Sequence, residues 1–197
     1  MVTDIYLYVE KLGEDGRWHE LDDPREWYGE RNYDLFAILA NVRNGYAVAG
    51  IRTGDGFWPL GPRGLPCDVS EELRRLDYEQ FHSQSWVSLR EILEFDWDQE
   101  TTKRAFVRDT DDGRFPSGGR AKWAEEYANE LGRLPGEVEG CCFLFGPPPE
   151  EDWKEVTFKQ TYAQAAGDRD WWGCVMRMCR ASGGDPDSVR AVFAFDS

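Results

Sequence analysis

Acid–base chemistry in this chain has few places to start, because the sequence contains two histidines, His19 and His82. His82 is followed by Ser83 and Ser85, the one cluster of imidazole and hydroxyl groups in the chain. A serine nucleophile needs a base within hydrogen-bond reach. If 82–87 is a strand, His82 and Gln84 face one way while Ser83, Ser85 and Val87 face the other. On that geometry His82 activates neither serine. Two readings stand: a hydrogen-bonded histidine near a sheet edge, or a group of His82, Ser83 and Ser85, with the adjoining Trp86, that touches a ligand's phosphate or sugar hydroxyls.

A second set is cationic and aromatic. Arg52, Phe57, Trp58 and Arg63 fall within YAVAGIRTGDGFWPLGPRGLPC at 46–67, a stretch rich in Gly and Pro. Guanidinium groups recognise phosphate bidentately, an indole offers a face to a base, and glycines let backbone N–H groups approach a ligand. Long ordered loops are usually functional. Asn32 and Tyr33 stand at the expected start of a helix, where an anion finds unpaired N–H groups. The competing reading is that Arg52 and Arg63 pair with some of the chain's 38 carboxylates and that the aromatics fill the core.

Metal and phosphate motifs are weak. Asp109, Asp111, Asp112 and Gly113 begin like a calcium loop, but Arg120 occupies the twelfth position, where a glutamate is required. Asp96, Asp98 and Glu100 alternate, as a solvated acidic edge also would. No Walker loop or GxGxxG is present. Cys67, Cys141, Cys142, Cys174 and Cys179 form no CxxC pair and are odd in number, so they read as reduced thiols, mostly buried. No cofactor, metal or catalytic residue is called for.

Composition limits the partners. The net charge of −15 repels nucleic-acid polymers and anionic membranes at long range, while a few arginines in a hollow can still hold a small anion. No apolar run approaches the ~20 residues of a membrane span. The first residues read as a strand and not as a signal peptide, which points to the cytoplasm. Self-association is left open. A length of 197 residues fits one domain over 1–197, or at most one with a large insertion.

The elements that must position these groups follow from periodicity. Ile5, Leu7 and Val9 alternate with polar residues in a strand, Gly13–Gly16 turns, and Arg17–Leu21 returns as a hairpin. Asn32 caps a helix over Tyr33–Arg43, ended by Asn44-Gly45. Ser70 caps a short helix to about Leu76, His82–Val87 is a strand, and Ser88 with Glu91 forms a capping box. Residues 109–119 read as a polar loop, Lys122–Leu131 as a helix, Glu137–Phe145 and Glu155–Tyr162 as strands, and Ala163–Ala181 as a helix. Val189–Asp196 closes the chain as a strand with Val189, Ala191, Phe193 and Phe195 on one face. The expected class is α+β, with a largely antiparallel sheet, an N-terminal hairpin, a C-terminal strand and helices packed on it.

DIYLYVE at 4–10, RNYDLFAILANVRN at 31–44, GPRGLP at 61–66, HSQSW at 82–86 and VRAVFAFD at 189–196 together resemble a family of short proteins encoded by phages and prophage-bearing bacteria. The resemblance implies action in the cytoplasm of an infected bacterium and transfers no catalytic residue. By analogy with accessory phage proteins as a class, it implies a counter-defence role: sequestering a nucleotide-derived immune signal, of the cyclic ADP-ribose or cyclic dinucleotide type, without turnover. The alternatives are a phosphodiesterase or other hydrolase acting on such a signal, and an acidic inhibitor of a host protein.

Overall fold

Alternating side chains at the two chain ends build the principal sheet. The computed structural model describes residues 3–22, 27–46, 52–75, 80–109, 141–144, 154–167 and 170–196. They gather in two compact units, one of residues 1–44, 58–97 and 163–197, the other of residues 45–57 and 98–162.

In the first unit, strand β1 (Ile5–Leu12) pairs with β2 (Trp18–Glu20) as a hairpin and with β7 (Val189–Phe195), which in turn pairs with β3 (His82–Ser88). The order is β2-β1-β7-β3 and every pairing is antiparallel. Ile5, Leu7 and Val9 meet Val189, Ala191, Phe193 and Phe195 in one buried cluster. The same cluster takes in residues of helices α1 (Tyr33–Ala40), α3 (Leu89–Glu94) and α5 (Asp170–Ser182), among them Phe36, Ile92, Trp171 and Met178. The apolar parity of both strands is thus satisfied on the face that the helices cover. The fold is α+β with an antiparallel sheet, an N-terminal hairpin and a C-terminal strand.

Helix ends follow local chemistry. Asn32 Oδ1 accepts the N–H groups of Asp34 and Leu35 at 3.0 and 3.1 Å, which caps α1. The helix stops at Asn41 (φ 60°) and not at Asn44-Gly45, because asparagine itself tolerates the left-handed conformation and its N–H returns to the Ala37 carbonyl at 2.9 Å. Ser70 caps the short α2 (Glu71–Arg74). The capping box of Ser88 and Glu91 is present. The helix read over Ala163–Ala181 is two, α4 (Tyr162–Ala166) and α5, separated at Gly167, whose φ is +90°.

The second unit contains a three-stranded antiparallel sheet, β5-β4-β6, formed by β4 (Glu100–Asp109), β5 (Cys141–Leu144) and β6 (Lys154–Thr161). Asp96, Asp98 and Glu100 are exposed, as an acidic edge would be, and the chain runs on from them as strand β4. Its start, Glu-Thr-Thr-Lys-Arg, carries no apolar alternation, yet Thr101 and Lys103 are buried. The helix read at 122–131 lies outside the described residues, as does the loop read at 109–119 apart from Asp109, which ends β4. Of the thiols whose burial is described, Cys174 is buried and Cys67 and Cys179 are exposed. Among the described residues no helix is long and apolar enough to cross a membrane.

Candidate functional site

The second face of the four-stranded sheet is built differently from the first. Glu10 of β1 stands directly opposite Arg190 of β7 in the strand register, on the parity that faces away from the helices. Both are buried, with 3% of the Arg190 side chain and none of the Glu10 side chain exposed. A buried charge is tolerated only when paired and hydrogen-bonded. Arg190 Nε donates to Glu10 Oε2 at 2.6 Å, and its Nη1 and Nη2 donate to the Asp68 carboxylate and carbonyl at 2.8 and 3.2 Å. The other Glu10 oxygen accepts the Ser70 N–H at 2.7 Å. Burial pushes the Asp68 carboxyl up, but the hydrogen bond and charge of Arg190 outweigh it and hold it below its ordinary value.

Aromatic rings flank this pair. The Arg190 guanidinium lies 3.9 Å from the Trp18 ring centroid and 5.5 Å from that of Trp86, and the Arg63 guanidinium lies 4.7 Å from the Trp86 centroid. Indole and guanidinium groups therefore alternate in the order Trp18, Arg190, Trp86, Arg63. Trp18 is fixed further by its Nε1–H, which donates to Asp68 at 3.0 Å.

Arg63 is placed by the loop before β3. Ser85 Oγ donates to the Gly61 carbonyl at 3.0 Å and accepts the Arg63 N–H at 3.1 Å. Gly61 and Gly64 take φ of +142° and +76°, conformations that side chains rarely adopt. The GPRG turn is thereby pinned to the strand that carries Trp86. Arg63 Nη2 donates to Glu91 Oε1 at 2.7 Å. Desolvation raises the Glu91 carboxyl, but the Ser88 N–H and Arg63 together bring it below its ordinary value.

Trp18, Arg190, Asp68, Trp86, Arg63 and Glu91 line an open groove of about 640 Å³ together with Leu65, Pro66 and Asp187. The volume suits a small ligand. Arg90 of α3 holds Asp187 in a bidentate pair at 2.6 and 2.7 Å. Each of the groove carboxylates Asp68, Glu91 and Asp187 thus has a guanidinium partner. Arg190 is committed to Glu10 and Asp68. Arg63, with 30% of its side chain exposed and Glu91 as its ion-pair partner, is the cation best placed to meet an incoming anion.

The residues singled out in the sequence divide. Arg63 and Trp86 line the groove, and Ser85, buried, holds the Arg63 backbone N–H. Trp58 is not among the lining residues and is 78% exposed. Arg52 and Phe57 belong to the second unit: Arg52 donates to Gly54 and Asp55 of its own turn, and Phe57 is buried edge-on against Tyr162. Asn32 spends its side chain on the helix cap and on the Ala165 carbonyl. The Tyr33 hydroxyl accepts the Thr3 N–H, and its ring lies under Arg43.

His82 departs from the strand geometry expected of it. A register shift between His82 and Ser85, with Ser83 in the left-handed region (φ 53°), brings Ser83 Oγ to 3.0 Å from His82 Nδ1. The bulge cancels the alternation that separates the two side chains in a regular strand. His82 Nε2 lies 3.3 Å from the Asp196 carbonyl. Among the described residues no group of three or more His, Cys, Asp or Glu is arranged to hold a metal ion.

Sequence reasoning passed over Trp18, Arg190, Glu10 and Asp68. One signal was present: in VRAVFAF the parity of Arg190 is shared by Val192 and Ala194, so that face of β7 is also covered and an arginine there must be buried with a partner. No family model matches the chain, and no curated protein or solved structure matches it.

Proposed function

We propose that the protein binds a small nucleotide-class ligand in the groove beside Trp86 without transforming it. The observation that carries this reading is the Arg63 guanidinium set over the Trp86 ring in a hollow of about 640 Å³ that Trp18 also lines. A ring would lie against the open end of the indole–guanidinium series, and a phosphate would take Arg63 from Glu91. Guanidinium groups exchange between carboxylate and phosphate because the planar fork suits both. The groove carboxylates would accept exocyclic amines of a base. The biological role, capture of a nucleotide-derived immune signal of the cyclic ADP-ribose or cyclic dinucleotide type in a phage-infected bacterium, rests on the resemblance of five sequence segments and on class-level analogy. Incubation with such signals, then heat release and mass analysis, tests it: intact ligand is expected, and altered ligand would reject simple capture. Arg63→Ala should weaken binding about tenfold, as loss of one charge-assisted contact does.

A hydrolytic reading is favoured by the contact between Ser83 and His82. If Nε2–H donates to the Asp196 carbonyl, the Nδ1 lone pair faces the Ser83 hydroxyl and can take its proton as Oγ attacks. Turnover abolished in both Ser83→Ala and His82→Ala would establish that reading. Turnover indifferent to both removes its mechanism.

A further inference from the structure

A second hollow, of about 460 Å³, adjoins the groove and shares two of its walls, Trp18 and Asp68. The shared wall is rigidly held. Trp18 is hydrogen-bonded to Asp68, and the Arg190 guanidinium lies 3.9 Å from its ring centroid. Each hollow has one arginine with donors to offer. In the groove it is Arg63. In the second hollow it is Arg17, which is exposed and whose guanidinium makes no hydrogen bond or ion pair to any described residue. The other arginine there, Arg74, already donates to the Cys67 and Val69 carbonyls at 3.3 and 3.2 Å. Glu71 is occupied by Arg75 at 3.0 Å, which lowers the repulsion a phosphate would meet.

We infer that the two hollows form one bipartite site, divided by Trp18, that takes a ligand with two rings and two phosphoryl groups. This rests on the reading of the groove as a nucleotide site and narrows it from nucleotides in general to dinucleotides. One phosphate meets Arg63 and one meets Arg17, while Glu72, which lines the second hollow, can accept from an exocyclic amine. A mononucleotide fills one hollow and leaves one arginine unused. Joining two modest contacts in one molecule makes the second binding step intramolecular, so affinity rises without new groups on the protein.

The test measures dissociation constants for adenosine monophosphate and for cyclic di-adenosine monophosphate on wild type, Arg63→Ala and Arg17→Ala. Arg17 is exposed, so its replacement does not threaten the fold. The dinucleotide should bind wild type at least about tenfold more tightly than the mononucleotide, and Arg17→Ala should remove about tenfold from the dinucleotide alone. Arg63→Ala should weaken both. If the dinucleotide binds and Arg17→Ala leaves its affinity unchanged, the bipartite site is wrong while the groove reading survives. If wild type binds neither probe, both fall.

Discussion

The two faces of the four-stranded sheet use the same strands for opposite purposes. On the helix-covered face, Ile5, Leu7, Val9, Phe193 and Phe195 pack with Phe36 and Met178 and need no specific partner beyond good packing. On the other face, Glu10, Arg190, Trp86 and Asp68 are held by directed contacts, and removing one leaves another unsatisfied. A small apolar cluster of Val69, Leu73 and Val192 supports that face without filling it. Apolar packing degrades gradually when altered, whereas a buried ionic network fails when one member is lost. A face built from fixed charges and open rings costs stability and leaves recognition chemistry at the surface.

The comparison can be broken most severely at Arg190. Arg190→Leu should destabilise by about 3–5 kcal/mol, because it leaves Glu10 charged, buried and unpaired. Urea unfolding measures the loss, and replacing Glu10 and Arg190 together by leucine should recover most of it. Phe193→Ala on the opposite face should cost a similar amount, about 3–5 kcal/mol, through cavity formation, but no second charge removal should rescue it. If Arg190→Leu proves neutral, the two faces do not differ in kind.

Smaller effects sharpen the picture. Ser88→Ala removes the capping box of α3 and should cost about 1 kcal/mol; it also loosens Glu91, so Arg63 should become more available to phosphate. Acid titration gives a further check. Asp68, Asp187 and Glu91 have folded-state pKa values below their ordinary ones, Asp187 through the hydrogen bond from Arg90. Such groups stabilise the fold fully above their unfolded values and lose that contribution as pH falls through the folded ones. Glu20 is shifted upward by desolvation and works in the opposite sense, losing its contribution as pH rises. Stability should therefore fall on acidification below the ordinary carboxylate range, and Glu91→Gln should flatten that slope. Its surface exposure keeps the effect modest. Trp58→Ala should change stability by less than about 0.5 kcal/mol and leave ligand affinity unaltered.

Much of the fold was legible because alternation in β1 and β7 is strong and the caps at Asn32, Ser70 and Ser88 are local signals. Strand β4 was not, because its burial depends on neighbours that its polar side chains do not announce. The site was half legible. Arg63, Ser85 and Trp86 lie in segments whose composition drew attention. Glu10 and Arg190 are 180 residues apart in sequence and become partners through the β1–β7 register. The contact between His82 and Ser83 required a bulge that period-two reasoning excludes.

The central claim, that a nucleotide seats against Trp86 and Trp18, is tested most directly by the indole N–H resonances of the nine tryptophans during titration with cyclic di-adenosine monophosphate. The signals of Trp18 and Trp86, assigned by single Trp→Phe replacements, should shift together and saturably while that of Trp58 stays in place. Saturable binding that leaves Trp18 and Trp86 unmoved would contradict the account.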